Sequence, residues 1–130
     1  MVIYKNSQKI FDLYKQGKSE DALIIIDKEI LVIPKTNDFR KEGIFIIDFE
    51  KNQVIHDVLD RILELNPKDS EILARKGVML ELEMKHENAK KIAEEALDIN
   101  SKNKLALQTI GTIYFHNEEF EKALDCYEKI

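Results

Sequence analysis

The sequence predicts an all-α protein, an α-solenoid of about four antiparallel helix pairs whose first two units are degenerate. Three observations carry that expectation. Three of the four glycines, Gly43, Gly77 and Gly111, lie 34 residues apart, and a constant step in this range marks a repeat array. Other positions keep the same step: Ala89 with Ala123, Leu73 with Leu107, Leu80 with Tyr114, and Ala96 with Ile130. Apolar residues recur at helical spacing, and Pro34 and Pro67 each follow a helical run, where the missing N–H costs nothing.

The chain divides into units at about residues 3–35, 36–69, 70–103 and 104–130, all within a single domain spanning 1–130. In the first unit, "YKQGKSEDAL" (Tyr14 to Leu23) places a turn around Gly17 between two helices. In the second, "GIFIIDF" (Gly43 to Phe49) is so rich in β-branched and aromatic residues that a strand competes with the expected helix. The third unit has Leu73, Val78, Leu80 and Met84 on a first helix, a polar turn at His86 to Asn88, then Ala89, Ile92, Ala93, Ala96 and Leu97 at helical spacing. The fourth, ending "GTIYFHNEEFEKALDCYEKI", repeats helix, short turn and helix.

Small residues at fixed phase suggest a packing need. Glycine inside a helix is unfavourable by about 1 kcal/mol relative to alanine, so repeating it is expected to let Gly77 or Gly111 approach the second helix closely at Ala89 or Ala123. A larger side chain there is expected to cost roughly 1–3 kcal/mol in strain.

These residues resemble the tetratricopeptide repeat, a 34-residue helix pair with a large residue near position 4, a small one at 8, a large apolar one at 11, Ala at 20, an aromatic at 24, Ala at 27 and Pro at 32. Counting from Lys104, the fourth unit supplies Leu107, Gly111, Tyr114, Ala123, Tyr127 and Ile130. Counting from Ser70, the third supplies Leu73, Gly77, Leu80, Ala89, Ala93 and Ala96, with Ser101 in the proline position. From Thr36 the second supplies Phe39, Gly43, Ile46, Leu59, Ile62 and Pro67, with Ile55 in place of alanine. Counting from Ile3, the first unit places Ala22 and Pro34 at positions 20 and 32, and the step to Thr36 is one residue short. The resemblance covers nearly the whole chain and implies a right-handed superhelix.

Composition narrows the function classes. Hydrophobic residues make up 44% and charged residues 35%, as in globular domains rather than disordered chains. A net charge of −5 gives no general electrostatic attraction to nucleic acid or anionic membranes, so neither is expected as a partner. The start "MVIYKNSQKIF" lacks the pattern of a secretory leader, no apolar run reaches a membrane span, and the lone Cys126 has no internal disulfide partner. A cytoplasmic protein is expected.

No catalytic, cofactor or metal site is expected. His56, His86 and His116 fall on a second helix, in a turn and near the end of a first helix, so convergence is not anticipated. His56 and Asp60 are spaced i, i+4, but two ligands fall short of the three or four that zinc needs. Cys126 has no adjacent base, and Asp125 and Glu128 are expected to raise its pKa, so it reads as buried or interfacial rather than nucleophilic. Gly17 stands alone rather than in a phosphate loop, and pairs such as Glu94–Glu95 are ordinary helix surface.

The resemblance therefore implies a non-catalytic interaction module whose first helices line a concave groove for a peptide or helix of a partner protein. Carried over by position, the groove comprises Phe11, Tyr14, Arg40, Ile44, Ile47, Val78, Gln108, Thr112 and Phe115. The positions that hold chaperone carboxylates in some relatives are Ser7, Phe11, Lys41, Glu71 and Arg75 here; Arg75 alone keeps its type, and no chaperone tail is expected to bind. The last helix ends on Ile130, and Cys126, Tyr127 and Ile130 would form an open end. Such an end suggests either self-association, as a scaffold element, or the N-terminal part of a longer repeat protein.

Overall fold

The structure is a computed structural model and describes residues 5–30 and 49–130. Among the described residues there are seven helices: α1 (Lys5–Lys15), α2 (Ser19–Ile30), α3 (Phe49–Leu65), α4 (Ser70–Leu82), α5 (His86–Ile99), α6 (Lys104–His116) and α7 (Phe120–Glu128). The third and fourth units begin their first helices at Ser70 and Lys104, the residues from which the repeat was counted. Phe49 opens α3, and the rest of Gly43 to Phe49, where strand and helix competed, lies outside the described residues.

The chain forms two compact units, Met1–Arg61 and Ile62–Ile130. In the first, α1 and α2 pack as a hairpin that buries Ile10, Ala22 and Ile26. Glu29 accepts a hydrogen bond from the Asn6 amide at 2.7 Å and pairs with the Lys51 ammonium at 3.2 Å, joining α2 to both α1 and α3. In the second unit α4 packs on α5 and α6 on α7, while α6 also packs against both α5 and α4. The first helices α4 and α6 thus lie side by side, and the second helix α5 receives α6.

The turns repeat as closely as the helices. After α1, Lys18 N–H donates to the Leu13 carbonyl and Gly17 N–H to that of Tyr14. After α4 the same two bonds run from Lys85 to Leu80 and from Met84 to Glu81, and after α6 from Glu119 to Tyr114 and from Glu118 to Phe115. This double bond is a Schellman cap, which needs a left-handed residue just past the helix. Gly17, Met84 and Glu118 fill that place with φ of 80°, 64° and 63°.

Helix starts are also matched. Asp69 caps α4 through its carboxylate, which accepts from the N–H groups of Glu71 and Ile72 at 3.1 and 3.2 Å. Asn103, 34 residues on, caps α6 by accepting from Ala106 N–H at 3.0 Å. Its amide also donates to the Ser70 carbonyl at 3.2 Å and to Glu71 Oε1 at 2.9 Å, so one buried side chain ties the starts of α4 and α6 together.

The core of the second unit joins Leu73, Ala74, Ala93, Ala96, Ala106, Ile110 and Cys126, edged by Leu63, Ile92, Leu97, Leu105 and Tyr114. Gly77 does face α5, but an added Cβ would stand 3.5 Å from the Ala89 carbonyl and 3.6 Å from the Ala93 Cβ. That is ordinary contact, so the expected penalty for a larger side chain does not hold for alanine at Gly77. At Gly111 the expectation holds for a different partner: the added Cβ would stand 2.8 Å from Tyr127 Cε1. The residue at position 24 decides the matter, being alanine in one unit and tyrosine in the next.

Candidate functional site

The groove positions that fall in the described residues divide by unit. In the first, Phe11 and Tyr14 are half-buried on α1. The Phe11 ring carries the Arg61 guanidinium 4.0 Å from its centroid and the Lys15 ammonium at 5.3 Å, an arrangement favoured by the negative face of the ring. Arg40, Ile44 and Ile47 lie outside the described residues.

In the second unit, the neighbouring helices α4 and α6 carry the rest. Val78 and Thr112 are half-buried, Gln108 is exposed, and Phe115 is 56% exposed at the end of α6, with Leu82 at 39% on the end of α4. The Thr112 hydroxyl lies 3.3 Å from that of Tyr127. Glu71 and Arg75, on the same helix, are bound to each other at 2.6 Å, and Arg75 also donates to the Glu71 carbonyl. The basic side chain that matched the carboxylate-binding pattern is thus already paired.

Two histidines do come together, contrary to the sequence-based expectation. His86 opens α5 and His116 closes α6, and their ring centroids are 5.7 Å apart. The third, His56, sits on α3. The repeat frame scattered the histidines along the chain, but the packing of α6 on α5 brings the start of one helix to the end of the other. His116 Nε2 stands 3.9 Å from Glu81 Oε1. Among the described residues, no three His, Cys, Asp or Glu side chains are grouped so as to hold a metal ion, and no helix is long and apolar enough to cross a membrane.

At the last helix, Cys126 is buried in the core, while Tyr127 and Ile130 are exposed. Burial is the main cause that pushes the Cys126 thiol up; Asp125 adds to it, and Lys129 and Lys90 oppose it. The direction matches the sequence-based expectation, but its main cause is packing rather than the acidic neighbours. Phe120 and Leu124, which the groove and end assignments both passed over, are also strongly exposed. Their i, i+4 spacing with each other and i, i+7 from Phe120 to Tyr127 was the signal available in the sequence.

No family model matches the chain. A curated relative, tetratricopeptide repeat protein 6 of Homo sapiens, is 37% identical over 60 residues, which is 46% of this chain and 12% of that protein. The match therefore spans a small part of that relative's length. A crystal structure of MamA is similar with a TM-score of 0.57 and 20% identity, covering 95% of this chain and 75% of that one. A MamA MSR-1 structure gives 0.53 and 19%, covering 92% and 70%. A MamA mutant gives 0.53 and 17%, covering 98% and 95%. The 34-residue helix pairs and the fold shared with MamA agree: the chain is an all-α helical-repeat protein, similar over 60 residues to a tetratricopeptide repeat protein.

Proposed function

We propose that this chain is a protein-interaction repeat module of the reducing cytoplasm that holds a peptide or helix of a partner on its first helices and acts by binding, without catalysis. The observation that supports this reading is the packing of α4 against α6, two helices that carry exposed Leu82, Phe115 and Gln108 and half-buried Val78. Exposed apolar anchors beside a few polar groups are the surface on which peptide binding concentrates its energy. The similarity to tetratricopeptide repeat protein 6 supports the same class.

The test is affinity capture followed by mass spectrometry, comparing the native chain with a Val78→Asn, Leu82→Ser variant whose helicity is checked by circular dichroism. Loss of about ten-fold or more in captured partner is expected, as for removal of an apolar anchor. Undiminished capture by a folded variant would reject the α4–α6 face. A chaperone C-terminal peptide titrated in fluorescence anisotropy should give no saturable signal, because Arg75 is already bound by Glu71.

A further inference from the structure

The outer row of α7 borders the proposed groove at Phe115, whose ring meets that of Phe120. Phe120, Leu124 and Tyr127 are 57%, 56% and 39% exposed, and Ile130 continues the line at 49%. Ala123 and Cys126, on the adjoining face, are buried. Thirty-four residues earlier the same row on α5 is His86, Lys90, Ala93 and Ala96. All four meet α6 or its core: His86 stacks near His116, the Lys90 ammonium lies 4.9 Å from the Tyr114 centroid, and Ala93 and Ala96 share a cluster with Ala106 and Ile110. The fold itself therefore displays what such a row accepts. It takes a helix along its length, touched at residues spaced i, i+4 and i+8: Ala106, Ile110 and Tyr114.

On α7 the two polar members of the row are replaced by Phe120 and Leu124, so the exposed row is more apolar than the covered one. The exposed Phe115 ring extends it, edge-on to Phe120 at 5.3 Å. One border of the row is mainly acidic, since Glu121, Asp125 and Glu128 share a side at helical spacing and all are exposed, with exposed Lys129 following at its end. Lys122, on the far side, is engaged by Glu119 at 3.2 Å.

We infer that this row is a docking site for one amphipathic helix of a partner protein, apolar at i, i+4 and i+8 and bordered by lysine or arginine. The apolar stripe covers Phe120, Leu124 and Tyr127, and the cations face Glu121, Asp125 and Glu128. A second copy of the chain is the poorer occupant. An antiparallel pairing of two rows sets each acidic border against itself, and every copy carries a net −5.

The experiment uses two labelled synthetic helices of roughly 15 residues, identical in a leucine stripe at i, i+4 and i+8, one bordered by lysine and the other by glutamate. Fluorescence anisotropy with the whole chain should show the lysine-bordered helix binding about ten-fold or more tightly, an advantage that shrinks in high salt. Leu124→Glu should abolish binding, and because Leu124 is exposed the fold should persist by circular dichroism. Glu121→Lys with Asp125→Lys should reverse the preference between the two helices. Equal affinities, binding unchanged by Leu124→Glu, or a preference that survives the charge swap would overturn the proposal. So would a doubled mass in light scattering that Leu124→Glu removes, which would assign the row to a second copy. The groove is tested with Val78 and Leu82, so the two assignments fail separately.

Discussion

Met84 and Glu118 occupy the left-handed region that Gly17 fills in the first unit. A residue with a Cβ there costs about 1–2 kcal/mol, and both side chains are exposed, so packing does not oppose a change. Met84→Gly and Glu118→Gly should each raise stability by about 0.5–1 kcal/mol once glycine's entropy is counted, measured as a higher urea midpoint at unchanged slope. Gly77→Ala should also stabilise, by up to about 1 kcal/mol, because helix propensity improves without a clash. Gly111→Ala should destabilise by roughly 1 kcal/mol as Tyr127 is pushed aside. The period placed both glycines in the sequence, but their opposite responses depend on Ala93 and Tyr127, which local propensity does not distinguish. For Cys126, whose thiol burial holds up, the neutral form should persist at neutral pH, and alkylation should be slow until urea unfolds the chain. The sign follows from linkage: the folded state binds the thiol proton more tightly, so this contribution is full below the unfolded value and lost as pH rises through the folded one. Cys126→Ala should therefore lessen the alkaline fall in stability.

Helix ends carry the coupling between elements. Asn103 serves α6 as a cap and α4 as a hydrogen-bond donor at the same time. Asn103→Ala should lower stability by about 2 kcal/mol, a lost cap plus buried groups left unpaired. Asn103→Asp keeps the acceptor but loses the donor and places a second carboxylate against Glu71, so thermal melts should show it well below the native chain. Asp69→Ala, which removes a cap, should cost about 1 kcal/mol or more. Asp69 and Asn103 stand just before apolar-periodic runs and were legible as start signals in principle. The second role of Asn103 was not, because its partners lie 32 and 33 residues away. The same holds for His86 and His116, whose meeting depends on α6 crossing α5 rather than on sequence spacing. On α7 both halves of the apolar arc were visible as a helical stripe, yet the half that α6 covers could not be told from the half left exposed.

For the molecule as a whole, the proposed occupant of the α7 row implies that the chain alone stays monomeric. Light scattering across a wide concentration range should return the mass of one chain; a concentration-dependent dimer would favour the self-associating scaffold read from Tyr127 and Ile130. The sequence by itself determined the all-α class, the 34-residue unit and the starts of α4 and α6, because each rests on local periodicity and on the same residue types recurring at one phase. It also determined the direction of the Cys126 shift, though not its cause. Tertiary structure alone decided that Gly77 has room while Gly111 does not, that Arg75 is already paired, that two histidines meet, and that Phe120 and Leu124 face outward. The physical reason is common to all of these. A repeat period says which residues are equivalent, but burial and pairing depend on what the neighbouring helix places opposite them, and that neighbour differs from one unit to the next.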